Sequence, residues 1–317
     1  MSFWLNLPRP IIGLSPMDGV TDACFRSVLA QQGKPDVTFT EFTHVHDVCR
    51  GSEIQLETLL YSERERPIVA QLYGKSPELF YLAAQVVCEL GFDGLDINMG
   101  CPSKSVASSG SGAGLIRTPE LARTIMQAAK RGIEDWASGQ TLEQAGFKPA
   151  RIAMFERLNQ QRGKAGPTQR LQLPLSVKTR LGYDSVMVEE WVEELLKEQP
   201  AVISLHGRTL QQMYRGTADW SAIGRAAALV QGTGTLLLGN GDIQSLDDIA
   251  VRVRETGVDG VLVGRGVLGA PWFFRSKEPA RLRARGMNPG PFANPPNVLH
   301  EDPIGLYLAP SVRALDW

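Results

Sequence analysis

Eight short apolar runs recur along this chain, each bounded by turn residues, at 11–15, 37–42, 67–73, 92–99, 173–182, 201–209, 235–243 and 260–266. Stretches with helical spacing separate most of them, at 20–32, 76–90, 119–136, 185–198, 219–230 and 245–256. In 76–90, for instance, Leu79, Ala83, Val86, Val87 and Leu90 fall on one helical face. Strand following helix in this way predicts parallel strands, because only a crossover can join a parallel pair. Eight such units within 317 residues fit an α/β fold of the (β/α)8 TIM-barrel type, which takes about 250 residues, better than an open sheet. The crossover at 43–66 is the weakest unit, since charge dilutes its apolar pattern.

The charges nearly cancel, with 33 Lys and Arg against 34 Asp and Glu. That balance excludes disorder driven by self-repulsion and a surface that is basic throughout. No apolar run reaches the roughly 18 residues of a membrane span, and MSFWLNLPRP has no signal-peptide pattern. Cys24, Cys49, Cys88 and Cys101 form no CxxC pair and have no histidine at zinc spacing. We therefore expect a cytoplasmic protein without disulfides, metal or membrane contact. The expected organisation is a catalytic barrel over 1–275, interrupted by an insertion at 137–172, and an irregular Pro- and Arg-rich tail over 276–317. From 148 to 172 the insertion carries Lys148, Arg151, Arg157, Arg162, Lys164 and Arg170 against one acid, Glu156. That bias suits RNA, but a helix-to-strand connection emerges on the face away from a barrel's active site, which favours a solvated helical hairpin.

Polar residues end several of the runs: Glu41, Gln71, Asn98, Lys178, His206, Asn240 and Arg265. In barrels the C-terminal ends of the strands carry the active site, so these positions point to one shared face. Cys101 follows the fourth run between Gly100 and Pro102, in a polar loop, whereas Cys88 sits on an apolar helix face and reads as structural. The glycines of GSGAG, from Gly110 to Gly114, match neither a dinucleotide fingerprint nor a Walker loop. They suggest a flexible loop that closes over a substrate. LGNGDI and VGRG follow the seventh and eighth runs, where barrels bind phosphate, and Arg265 would add a charge-assisted bond. A cofactor with its phosphate there would bring a ring near Lys178, Gln71 and His206, which suits FMN. Ordinary alternatives are a Lys178–Asp96 ion pair and a core His206 held by a backbone carbonyl.

Taken in order, SPMDGVTD at 15–22, TEF at 40–42, AQLYG at 70–74, DINMGCPSKSV at 96–106, SVKTRLG at 176–182, LHGRT at 205–209 with Tyr214 and Arg215, GNGDI at 239–243 and GRG at 264–266 resemble the motifs of bacterial tRNA-dihydrouridine synthases. The resemblance covers 11–275. It implies reduction of the C5–C6 double bond of tRNA uridines with bound FMN, recharged by NADPH. It also implies that Ser15 (more often Ala in the family), Pro16 and Met17 lie beneath the flavin, and that Gln71 and Lys178 bond its polar edge while His206 approaches it. Asn240, Gly241, Asp242, Gly264 and Arg265 would hold the phosphate, Cys101 would be the catalytic general acid, and Asn98, Arg180 and Tyr214 would read an extruded base. The family continues into a helical domain that grips tRNA. Residues 280–317 lack that pattern, so weakened tRNA binding is expected. Two further readings stay open: an FMN barrel acting on a free small-molecule pyrimidine, and an RNA-binding remnant without catalysis.

Overall fold

The computed structural model describes residues 2–163, 166–167 and 169–289. Its strands are β1 (Ile11–Leu14), β2 (Thr38–Phe39), β3 (Thr43–His44), β4 (Ile68–Tyr73), β5 (Gly94–Met99), β6 (Leu175–Arg180), β7 (Val202–His206), β8 (Leu236–Asn240) and β9 (Gly260–Val263). All ladders are parallel, in the order β1-β9-β8-β7-β6-β5-β4-β2, with β3 also on β4. Two further backbone bonds, Leu14 N–H to Val37 O at 3.0 Å and Asp36 N–H to Ile12 O at 2.9 Å, tie β1 to the approach to β2. The sheet is thereby drawn into a TIM barrel. The eight expected runs become nine strands because a short further strand, β3, follows the second run, at the start of the segment expected as the second crossover.

The helices are α1 (Ala23–Gln32), α2 (Val45–Arg50), α3 (Glu53–Leu56), α4 (Pro77–Glu89), α5 (Lys104–Ser108), α6 (Pro119–Ala137), α7 (Pro149–Gln161), α8 (Val188–Leu196), α9 (Trp220–Val230), α10 (Leu246–Thr256) and α11 (Lys277–Ala284). Start signals are local. Asp22, Ser76, Asp219 and Ser245 accept bonds from the first-turn N–H groups of α1, α4, α9 and α10, and prolines begin α4, α6 and α7, where an N–H would have no helical partner. The weak second crossover contains only short pieces, α2, α3 and two 3₁₀ turns. Ion pairs pin it: Arg26 to Glu65 at 2.7 Å, both buried, and Arg66 to Asp93 at 2.8 Å.

Parallel strands covered on both faces need apolar residues in both directions. Along β7, Val202 joins an inner cluster with Ile11, Val69, Leu238 and Leu262, closed from below by Trp4. Ile203 and Leu205 join the outer cluster that packs under the helices. The inner positions next along the strands are polar. Lys178 pairs in register with Ser204, Arg180 with His206, and His206 with Asn240. The barrel is thus oily at one end and polar at the other.

Two expected segments differ. The insertion is docked rather than a solvated hairpin. Arg151 of α7 donates to the carbonyls of Asp47, Val48 and Gly51 at the end of α2, Arg162 to Leu90 O after α4, and Arg170 to Trp136 O at the end of α6. Helix C-termini leave carbonyls unpaired and carry partial negative charge, so these arginines cap three helices. Of the remaining basic residues, Arg157 pairs with Glu53 at 2.9 Å. The tail, expected to be irregular from 276, forms α11. Pro279 is tolerated because it sits in the first turn, where its missing N–H costs nothing. The part of that expectation covering 290–317 lies outside the described residues.

Helix α11 grips the barrel seam. Asp36 accepts from Ile12 N–H at 2.7 Å, and its carboxylate also pairs with Lys277 and with buried Arg281. Asp36→Ala would leave the buried Arg281 guanidinium only Glu278 and the Pro10 carbonyl, and would take the acceptor from Ile12 N–H and Lys277. We expect a loss of about 3–5 kcal/mol in urea-unfolding stability, and an unchanged midpoint would mean that α11 does not hold the seam.

Candidate functional site

A cavity of about 400 Å³ opens at the C-terminal ends of the strands. Its wall includes every site residue singled out from the sequence: Ser15, Pro16, Met17, Gln71, Asn98, Cys101, Lys178, Arg180, His206, Tyr214, Asn240, Gly241, Asp242, Gly264 and Arg265. Glu41 is the exception among the strand-end polar residues. It does not line the cavity, and its carboxylate accepts from Gly19 N–H at 2.6 Å.

The strand register explains the gathering. Gln71, Asn98, Lys178, Arg180, His206 and Asn240 sit on β4 to β8 with side chains toward the interior, above the apolar filling. Cys101, two residues past β5, is held rather than loose. Its N–H and that of Gly100 both donate to Asn98 Oδ1, at 2.8 and 2.9 Å. The glycine cluster beyond it is packed. Gly112, at φ +56°, would place a Cβ 2.9 Å from Val106 and 3.2 Å from the Cys101 Cβ, and Gly114 would place one 2.6 Å from Ala107 O. Those glycines serve close approach and not the open flexible loop expected from the sequence.

Desolvation sets the electrostatics. Burial pushes the Cys101 thiol up, despite Arg180 and Lys178 nearby, which favour the thiolate. Burial, and then Arg180, press Lys178 down to about 8. Burial lowers Arg180 to about 10, and burial together with Arg180, Lys178 and Arg208 drives His206 well below its ordinary value. At neutral pH the cavity therefore holds a protonated thiol, a neutral imidazole and cations. Lys178 forms no ion pair with Asp96. That carboxylate, raised to about 6 by burial, binds Gln71 Nε2 at 2.7 Å and Ser176 Oγ at 2.6 Å. Nor does a carbonyl hold His206, whose Nε2 lies 3.5 Å from Arg208.

Two arginines organise the rim. Arg180 donates to the carbonyls of Gly100, Thr209 and Met213 at 2.7 to 3.1 Å, joining the loops after β5 and β7. Arg208 was not singled out, although it lies inside the LHGRT motif two residues past His206. It is buried, contacts both Asp242 oxygens at 2.9 Å and donates to Gly216 O at 2.6 Å. Asp242, at φ +50°, also accepts from Ala218 N–H at 2.6 Å. Its carboxylate is thus committed to the loop carrying Tyr214, which leaves only its backbone N–H for an anion. Gly241, at φ +132°, would place a Cβ 2.7 Å from that of Ala218, so only glycine fits beside this clamp.

The site at the end of β8 and β9 suits a phosphate: backbone N–H groups of Gly241, Asp242 and Gly264, with half-exposed Arg265 beside them. Lys178 offers an ammonium that no hydrogen bond or ion pair engages among the described residues. The donor set and cavity size fit a phosphorylated aromatic cofactor. Among the described residues no helix is long and apolar enough to cross a membrane.

Comparisons with known proteins bear on the family and the fold. The family described as dihydrouridine synthase (Dus) matches residues 13–138 and 168–288, leaving out most of the insertion. A protein of Bacillus subtilis strain 168 described as "Probable tRNA-dihydrouridine synthase 2" is 38% identical over 283 residues, covering 88% of this chain and 75% of that one. A "Probable tRNA-dihydrouridine synthase" of Staphylococcus epidermidis RP62A is 35% identical over 283 residues, covering 88% and 74%. Among solved structures, a DHODH from Eimeria tenella in complex with ferulenol aligns with a TM-score of 0.56 at 13% identity, covering 87% of this chain and 82% of that one. The last likeness concerns the fold alone.

Replacing Arg208 by Leu should release the 209–218 loop, because Asp242 loses its ion pair and the carbonyls of Arg215 and Gly216 lose their donor. We expect faster proteolytic cleavage within 209–218, with about 2–4 kcal/mol lost from global stability. Unaltered cleavage would show that the loop is held by other contacts.

Proposed function

Because the chain belongs to the dihydrouridine synthase family, we propose that it reduces the C5–C6 double bond of uridines in tRNA, with bound FMN and NADPH as the reductant. One observation carries the proposal: a buried, protonated thiol faces the same cavity as an unengaged ammonium and a glycine-lined anion cradle. The catalytic unit is the barrel, 1–275, with α11 as its brace.

In this reading Ser15, Pro16 and Met17 form the floor beneath the flavin ring, and Gln71 and Lys178 donate to its polar edge. His206 approaches as a neutral imidazole, so it adds no charge to a wall already cationic. Gly241, Asp242 and Gly264 hold the phosphate through backbone N–H groups, Arg265 through its guanidinium. Asn240 supports them, since its Nδ2 is tied to Leu262 O at 2.9 Å. A reduced flavin held by these residues would supply hydride chemistry at C6 of the uracil. Cys101 supplies the proton at C5 from Sγ, as a general acid. A raised thiol suits an acid, since it keeps its proton at neutral pH where a nucleophilic cysteine would lose it. Arg180 and Lys178 then stabilise the thiolate left behind. Asn98, Arg180 and Tyr214 bind the base, which must leave its stack to enter the cavity.

Two outcomes test this. Cys101→Ala should bind FMN and be reduced by NADPH as the parent is, while dihydrouridine in treated tRNA, quantified by nucleoside mass spectrometry, falls by about 10²–10⁴-fold in rate. Unchanged turnover would remove Cys101 as the acid, and reduction of free uridine but not tRNA would move the activity to small pyrimidines. FMN affinity should also fall as pH rises through about 8. The sign follows from Lys178, a cation whose charge is present below that pH and lost above it, together with its attraction for an anionic ligand. In Lys178→Met the affinity, followed by flavin fluorescence, should be weaker and flat between about pH 7 and about pH 9.

A further inference from the structure

Asp96 is fully buried, does not line the cavity, and has no part in the scheme above. It nevertheless starts a chain of hydrogen bonds that ends at the reactive loop. Asp96 Oδ2 accepts from Gln71 Nε2 at 2.7 Å, and Gln71 Oε1 accepts from Asn98 Nδ2 at 3.0 Å. Asn98 Oδ1 in turn accepts from the N–H groups of Gly100 and Cys101, at 2.9 and 2.8 Å.

The two ends of this chain are of opposite kind. An ionised carboxylate offers only acceptors, and backbone N–H groups offer only donors. Each amide between them has one orientation that satisfies both neighbours. Turning either over would set donor against donor on one side and acceptor against acceptor on the other, inside a desolvated wall where an unpaired group costs most. With the orientation settled, one N–H of Gln71 and one of Asn98 remain uncommitted, and both residues line the cavity. That wall therefore donates. It suits a ligand carbonyl or an unprotonated ring nitrogen and opposes an amino group.

We infer that Asp96 is a positioning residue of this site: it sets the hydrogen-bond polarity of Gln71 and Asn98 and, through Asn98, anchors the backbone at Cys101. Ser176, donating to the other carboxylate oxygen at 2.6 Å, holds Asp96 in place. The identity of the ligand that meets these donors rests on the function proposed above. The positioning itself does not.

The test is arranged so that the two can fail separately. In a Cys24→Ser background, which removes the one exposed thiol among the four cysteines, Cys101 alkylation by iodoacetamide is followed by peptide mass spectrometry. The full chain is used, with and without added FMN. Asp96→Leu removes the acceptor, and labelling of Cys101 should accelerate about tenfold as its anchor loosens. Asp96→Asn can keep its oxygen toward Gln71 and turn its NH2 to Ser176 Oγ, so it should retain slow labelling although the charge is gone. If Asp96→Leu does not fold, Gln71→Met breaks the same chain one link later at similar volume and should give the same acceleration. Unchanged labelling in a folded Asp96→Leu or Gln71→Met protein would overturn the inference. So would labelling of Asp96→Asn as fast as that of Asp96→Leu, because charge and not polarity would then be the cause. None of these readings requires tRNA or turnover.

Discussion

Closure of the parallel sheet is the constraint on which the rest depends. Once β1 is joined to β9 on one side and to the approach to β2 on the other, alternate residues along each strand face one shared interior. That interior has a floor of Ile11, Val69, Val202, Leu238 and Leu262 over Trp4. Above it, the same parity turns Gln71, Asn98, Lys178, Arg180, His206 and Asn240 toward that interior. No individual strand could do this, since a slip of one residue would turn its polar side chain into the helix-facing core.

The chemistry of the cavity follows from that confinement. Placing a thiol, an ammonium, a guanidinium and an imidazole within one desolvated wall shifts each in the direction that suppresses charge. Arg180 stays a cation even at about 10, and Lys178 at about 8 remains largely one at neutral pH, so the wall is positive where an electron-rich ligand would lie. The compensating negative charge lies at Asp96, below the cavity, and at Asp242 in its rim, and each carboxylate is committed to protein donors.

Arginines hold the surrounding loops by the same device, a guanidinium set among backbone carbonyls. Arg180 and Arg208 do this at the rim of the cavity, and Arg151, Arg162 and Arg170 at the ends of helices. The planar fork of donors suits carbonyls that no regular element satisfies. This accounts for a basic insertion that resembles an RNA-binding stretch in sequence and acts as a set of helix caps in the fold.

Much of the molecule was legible before any coordinates. Alternating apolar runs and amphipathic stretches specify strands and helices through local periodicity, and polar residues at strand ends specify a face; all of those positions except Glu41 line one cavity. What the chain did not disclose depends on partners distant in sequence. Gly112 and Gly114 read as flexible because the atoms that crowd them, at Val106, Cys101 and Ala107, are invisible to a composition argument. The Pro-rich stretch from 276 read as irregular because the contact that seats α11, Arg281 on Asp36, joins residues far apart in the chain. Arg208 lay in plain view, yet its pairing with Asp242 spans 34 positions. The sequence alone therefore determined the elements, their parity and the chemical types on the active face, because these follow from spacing along a single strand or helix. Tertiary structure alone decided which charges are neutralised, which glycines are packed and which way each buried amide faces, because those depend on desolvation and on hydrogen-bond partners that only folding brings into reach.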